Sequence, residues 1–366
     1  MNVLWDMRLF STGYRTRGVG TYCRKVAAAV LESRPDCSLF LWADPAALPA
    51  DMASGAITVI PYRGGSWKRS VVALPRIVGT HRINLVHYWV ALGPISSIGI
   101  APLLPVPSVA TIHDLGVALW NTPHSRFLRT TPYWRLQRLF IRTVSAIITN
   151  SSATYNDLCA TLPIGRKSHL TVYPPMVSPR SGPGATARKP YCIALGGAPH
   201  KNLAKTVAAF SKARMSFPDF RLLLLGEITS SEHLPDPLPE GIEREPSMER
   251  YEEHLRRASG LLYCSLHEGL GIPPIEAMRH GCPLLLSDIP PLRETCAETA
   301  VFVDPGSTDR ITEGILSLIG TPDKWARKSG GGSERYESLC RDSATRILAL
   351  YRQLTGKRKR NRLYLT

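Results

Sequence analysis

Two glutamates stand on either side of a glycine-bearing turn that runs straight into prolines: Glu268-Gly269-Leu270-Gly271-Ile272-Pro273-Pro274-Ile275-Glu276-Ala277-Met278. Glycine at 269 and 271 permits positive φ and close approach of backbone to a ligand. The prolines suit a first helical turn, where a missing N–H costs no intrahelical bond. A turn of this kind directs backbone N–H groups and the positive end of a helix dipole at one spot, which is where phosphate binds. Glu276, about three residues into the helix and ~4.5 Å along its axis, borders that spot with Glu268. A carboxylate accepts from paired hydroxyls and so suits a ribose or hexose diol. Alternatively, Glu276 complements the helix dipole and Glu268 is a solvated loop acid.

The elements that must hold these residues are legible around them. Leu261-Leu262-Tyr263-Cys264 is an apolar run of the kind found in strands buried on both faces of a parallel sheet. The helix after the turn should stop near Gly281, and residues 282–286 read as the next strand. Upstream, Val3-Leu4-Trp5 reads as a first strand, Gly13, Gly18 and Gly20 as a flexible loop, and residues 22–31 as a helix. Residues 85–88 and 109–112 read as strands, the second ending in His113-Asp114. The carboxyl end of a strand is where open parallel sheets bind ligands. A core histidine satisfied by Asp114 is the other reading. Residues 145–150 form a strand, with Ser151-Ser152 capping the helix that follows. A strand at 191–195 precedes Gly196-Gly197-Ala198-Pro199-His200-Lys201-Asn202 and a helix over 203–213, and helices are expected at 249–258, 311–318 and 345–354.

A chain of 366 residues, 44% hydrophobic and 20% charged, is too long for one ordinary core and suits two α/β domains. Proline, serine and glycine over residues 178–189 mark a linker. The expected division is 1–185, 186–340, and a C-terminal helix with a basic tail at 341–366. Nineteen Lys and Arg against seven Asp and Glu precede residue 186, so the first half supplies +12 of the net +16. Within it Arg126, Arg129, Arg135, Arg138 and Arg142 interleave with Phe127, Trp134 and Phe140, and Lys68, Arg69, Arg76 and Arg82 frame a second apolar run. Such helices can rest on an anionic membrane surface, collect a phosphorylated acceptor, or simply carry solvated arginines. No nucleic-acid recognition motif accompanies the charge, so nucleic acid is not expected as a partner. Residues 90–112 are uncharged, but four prolines and two glycines break the run below membrane-spanning length. The first ten residues carry Asp6 and Arg8 and lack the pattern of a secretory signal, and eight cysteines show no C-x-x-C pair. A cytoplasmic location, peripheral on the inner face of the membrane, is therefore expected.

The ordered set Glu268-Gly-Leu-Gly-Ile-Pro-Pro-Ile-Glu276-Ala-Met, Gly281-Cys282-Pro283, Leu292-Arg293-Glu294 and Asp304-Pro305 resembles the donor-site signature of glycosyltransferase family 4, the retaining GT-B enzymes. The resemblance implies a GT-B fold, two Rossmann-like domains facing across a cleft, the first for the acceptor and the second for a nucleotide sugar. Arg17-Gly18-Val19-Gly20-Thr21-Tyr22 resembles the G-x-G-x-Y loop of mannosyl- and rhamnosyltransferases, in which Gly18 and Gly20 would approach the donor diphosphate. His113 would contact the transferred sugar and Asp114 would orient it or the acceptor. Lys201, paired with Asn202, would be the counter-charge for the departing diphosphate; where many relatives add an arginine, Leu195 and His200 stand here. Glu268 would hold sugar hydroxyls, Gly269, Leu270 and Gly271 would offer backbone amides, and Glu276 would hold the ribose. No D-x-D triplet occurs, which fits the metal-independent pattern of the family, and no cofactor is expected besides the nucleotide-sugar substrate. The implied reaction is retaining hexosyl transfer, with mannose from GDP-mannose as the best choice. Its acceptor would be a glycan or lipid-linked oligosaccharide of a bacterial surface polysaccharide such as lipopolysaccharide. A GT-B epimerase, which alters a nucleotide sugar without an acceptor, would share the donor motifs.

Overall fold

The computed structural model describes residues 1–33, 35–52, 57–62, 67–90, 104–115, 130–162, 164–165, 167–176, 188–228 and 233–363, with the side chains of 67–71, 133, 134, 136, 140 and 357–363 excepted. Most of the linker at 178–189, the stretch 91–103 and the residues Arg126, Phe127 and Arg129 lie outside that set. The chain divides into two compact units, Met1–Pro175 with Cys340–Thr366, and Met176–Leu339.

The first unit is a seven-stranded parallel sheet made of β1 (Asn2–Asp6), β2 (Ser38–Ala43), β3 (Ile57–Pro61), β4 (Leu85–Tyr88), β5 (Ser108–Ile112), β6 (Ala146–Thr149) and β7 (Ser168–Thr171). Their spatial order is β3-β2-β1-β4-β5-β6-β7, so the chain reverses its direction of winding between β1 and β4. Central strands β4 and β6 are buried at every position, whereas edge strand β3 is largely part-exposed and edge strand β7 wholly so. That difference follows from helices covering both faces at the centre and fewer neighbours at the rims. The helices described here are α1 (Gly18–Glu32), α2 (Trp67–Thr80), α3 (Pro132–Thr143) and α4 (Ser152–Thr161). Ser151 caps α4 by accepting from the Thr154 amide, as its position suggested.

The glycine loop does not form. Gly13 lies in a 3-10 turn, Gly13–Thr16, and Gly18 and Gly20 are the first and third residues of α1. At Gly20 a Cβ would run into the carbonyl oxygens of Tyr14 and Arg15. The glycine is there to let that turn pack directly against the helix start, a close approach rather than a flexible joint.

The second unit is a six-stranded parallel sheet of β8 (Lys189–Leu195), β9 (Arg221–Leu225), β10 (Ile242–Glu245), β11 (Ala258–Tyr263), β12 (Leu284–Ser287) and β13 (Val301–Val303). The order β10-β9-β8-β11-β12-β13 places its switch point between β8 and β11. Its helices are α5 (Leu203–Arg214), α6 (Tyr251–Arg257), α7 (Ile272–Arg279), α8 (Pro290–Cys296), α9 (Thr308–Gly320) and α10 (Pro322–Cys340). One face of the sheet packs on α5 and α9 through Leu203, Val207, Phe210, Ile311, Ile315 and Leu318, all buried. The three consecutive glycines 330–332 lie inside α10, where a Cβ on Gly332 would strike Met278 and Thr299.

A last helix, α11 (Ser343–Leu363), belongs to the first unit. The Tyr351 hydroxyl sits 2.6 Å from His87 Nδ1 and accepts from Trp5 Nε1 at 3.2 Å, while His87 Nε2 meets Thr111 Oγ1 at 2.7 Å. The helix is thereby fastened to β1, β4 and β5. Among the described residues no helix is long and apolar enough to cross a membrane.

Candidate active site

In the second unit, the loops after β8 and β11 meet at the switch point, the place where open parallel sheets bind ligands. Lys201 ends the short turn Pro199–Lys201 and is followed by Asn202 in the left-handed region, φ 59°. The Asn202 amide donates to the carbonyls of Cys264 at 3.1 Å and Pro305 at 2.9 Å, and the Leu266 amide donates to His200 O at 2.8 Å. Three loops, after β8, β11 and β13, are thus stitched to one another by a single asparagine and a backbone bond.

The result is that Lys201 and Glu268, distant in sequence, are joined. Lys201 Nζ donates to Glu268 Oε1 at 2.8 Å and to the Tyr263 hydroxyl at 2.7 Å, and it also lies 4.6 Å from the centre of the Tyr263 ring. The lysine side chain is 17% exposed and the glutamate 11%. Burial pushes the Glu268 carboxyl up, but the charges of Lys201 and His200, with the hydrogen bond from Lys201, more than offset it, so its pKa falls below the ordinary 4.5. The Tyr263 phenol is moved far up, first by burial and then by the Glu268 charge.

Gly271 has φ +85° and a Cβ there would collide with Leu292, so this position of the turn needs glycine. Leu270 beside it is buried, and Gly269 is half-buried. Helix α7 begins at Ile272, with Pro273 second, which makes Glu276 its fifth residue rather than its third. One full turn separates Glu276 from the N-terminus. Its carboxylate lies beside Tyr251 of α6, whose phenol is pushed far up by burial and by Glu276.

In the first unit, His113 follows β5 directly. Its Nε2 donates to the Trp89 carbonyl at 2.8 Å, and the ring stands edge-on to Tyr22 of α1, 4.8 Å between centres, with Cys23 Sγ 3.7 Å from Nε2. With Nε2–H committed, Nδ1 is left as a buried acceptor with no hydrogen-bond partner among the described residues. Burial lowers the pKa of this imidazole, so the ring is neutral near pH 7. Asp114 is exposed. Gly18 and Gly20 open the same helix that carries Tyr22 and Cys23, so α1 supplies one wall against His113. The ring is therefore anchored by the Trp89 carbonyl, and the alternative of a core histidine hydrogen-bonded to Asp114 is not the arrangement.

Residues 16–180 match the family model described as Glycosyltransferase Family 4, and residues 189–329 match the one described as Glycosyl transferases group 1. The chain belongs to glycosyltransferase family 4. Among solved structures this glycosyltransferase is similar to sucrose-phosphate synthase from Thermosynechococcus elongatus, with a TM-score of 0.77 at 17% identity, covering 98% of this chain and 100% of that one. That likeness shows the fold, which is GT-B. Among curated proteins it is 24% identical over 287 residues to the O-antigen chain mannosyltransferase RfbU of Salmonella typhimurium, 70% of this chain and 79% of the relative. It is also 24% identical over 254 residues to the GDP-mannose:cellobiosyl-diphosphopolyprenol alpha-mannosyltransferase of Xanthomonas oryzae, 66% of this chain and 64% of the relative.

Two groups in this glycosyltransferase escaped the sequence. Tyr263 reads as one more member of an apolar strand, although a phenol on the last residue before a strand's carboxyl end was a signal. Asp6 and Arg8 read as charges near the terminus, yet they form a buried pair, Arg8 Nε donating to Asp6 Oδ1 at 2.7 Å with the guanidinium 3.9 Å from the Trp42 ring centre. Their position at the end of β1 is what encloses them.

Proposed function

We propose that this glycosyltransferase moves mannose from GDP-mannose, with retention at the anomeric carbon, to a glycan or lipid-linked oligosaccharide acceptor of a bacterial surface polysaccharide. The observation that carries the proposal is Lys201 held at the switch point of the second unit beside Glu268 and the turn that starts α7. Cleavage of the bond between anomeric carbon and diphosphate leaves negative charge on the departing phosphate, and stabilising that charge is the main catalytic task. Lys201, the amides of the Gly269-Leu270-Gly271 turn and the α7 dipole are the groups suited to it. The acceptor hydroxyl then bonds to the same face of the sugar, its proton passing to the leaving phosphate oxygen. Glu268 and Glu276 serve as acceptors for sugar and ribose hydroxyls, and in the first unit His113 Nδ1 is an acceptor waiting for a hydroxyl donor. No metal ion and no further cofactor is assigned a role.

The choice of mannose draws on two relatives named as mannosyltransferases, one of them for GDP-mannose and a diphosphopolyprenol-linked acceptor. An acceptor of that lipid class places the enzyme at an anionic membrane surface. The exposed Arg135, Arg138 and Arg142 of α3, with Leu139 55% exposed among them, fit such a surface.

Calorimetric titration with GDP-mannose and with UDP-, ADP- and dTDP-sugars tests the reading. GDP-mannose should bind most tightly, and Lys201→Ala and Glu276→Ala should each weaken it about tenfold, the worth of one charge-assisted contact. Absence of binding by every donor, or unchanged affinity in both variants, would undo the proposed site.

A further inference from the structure

We propose that Tyr263 is the positioning residue of the donor site, holding the Lys201 ammonium in place for a diphosphate through its hydroxyl and its ring face. The proposal rests on the reading of Lys201 as the counter-charge for the departing diphosphate. Its basis is the geometry at the ends of β8 and β11, where Lys201 Nζ donates to the Tyr263 hydroxyl at 2.7 Å and to Glu268 Oε1 at 2.8 Å and stands 4.6 Å from the phenol ring centre.

An ammonium has three N–H donors. Among the described residues Tyr263 and Glu268 occupy two, which leaves the third for a phosphate oxygen without breaking the ion pair. The phenol oxygen and the Glu268 carboxylate thus both receive the ammonium, a triangle of lysine, tyrosine and glutamate with Lys201 Nζ at its apex. Tyr263 is buried, 2% exposed, on the last residue of a strand whose six positions are all buried, so its own place is fixed by the sheet. A lysine side chain loses the rotamer freedom of four bonds when a ligand immobilises it. Here that freedom is removed before any donor arrives, which favours binding in the way any preorganised site does.

The test is a double-mutant cycle on nucleoside diphosphate affinity, with GDP and UDP titrated calorimetrically into the wild type, Tyr263→Phe, Lys201→Ala and the double variant. Phenylalanine keeps the ring and the packing, and a melting temperature for each protein reports on folding. Tyr263→Phe should weaken the tighter-binding nucleotide about five- to tenfold, the range expected for one hydrogen bond to a charged group. In the Lys201→Ala background the same change should have no effect, because the group it positions is gone. Equal losses in both backgrounds, or no loss in Tyr263→Phe, would overturn the positioning role while leaving Lys201 intact. Unchanged affinity in Lys201→Ala alone would instead remove the lysine reading on which it stands. Should Tyr263→Phe melt early, Tyr263→His, which restores a polar ring, should recover part of the affinity; no recovery counts against the proposal.

Discussion

Glu268 keeps its charge inside a largely enclosed site because Lys201 is 2.8 Å away, and that has a signature in acid. Its folded pKa is depressed, so the folded state releases the proton more readily than the unfolded chain does. The stability this contributes is present above the ordinary glutamate value of 4.5 and is lost as pH falls through the lower folded value. Melting curves between pH 7 and pH 3 should therefore steepen below about 4.5 in the wild type and be flatter in Glu268→Gln. The variant should also be less stable at pH 7, by about 1–3 kcal/mol, since the lysine loses its charge partner. Parallel curves for the two proteins would dismiss the coupling. At this scale the charged residues of the site could be picked out from the sequence, and Gly271 with them. Their pairing could not, because it depends on β8 and β11 being neighbours across a gap of more than sixty residues in the chain.

At the scale of elements, α11 offers the clearest consequence. His87 is fully enclosed between Tyr351 and Thr111, and burial, with a smaller contribution from His113, lowers its pKa to about 3. The folded protein keeps this imidazole neutral while an unfolded chain protonates it below 6.5. Stability is thus lost progressively as pH drops from 6.5 towards 3, a window above that of Glu268. Tyr351→Phe removes a hydrogen bond on which α11 depends and leaves His87 Nδ1 unpaired, so urea unfolding of the first unit should show a loss of about 1–3 kcal/mol. An unchanged midpoint would mean that the helix is held by apolar packing alone. Central strands such as β4, β6, β11 and β12 were legible because burial on both faces demands uninterrupted apolar runs. Strands β3, β7 and β13 carry mixed or short sequences, since an edge strand has one neighbour and a partly exposed face. Helix α10 was hidden by Gly330-Gly331-Gly332, whose high helix cost is offset by packing no local rule foresees. The start of α1 was hidden likewise, because Gly20 answers to the carbonyls of Tyr14 and Arg15.

For the whole molecule, the net charge of +16 and its concentration before residue 186 predict an ionic-strength-dependent attachment to anionic surfaces. Flotation with vesicles containing phosphatidylglycerol should retain the wild type at low salt. Replacing Arg135, Arg138 and Arg142 with glutamine should weaken retention at least tenfold, at about 1 kcal/mol per basic residue near the surface. Equal retention would take α3 out of the membrane-facing role. Fold class followed from apolar runs alternating with helical segments, and family from the spacing of Glu268, Gly271, Glu276 and Asp304. Both are properties of neighbouring residues, whose local geometry a sequence carries directly. How Lys201 pairs with Glu268 and which phenol touches the lysine were decided only when the sheets assembled. Those contacts join segments far apart along the chain, and strand order, which no single segment encodes, sets which of them meet.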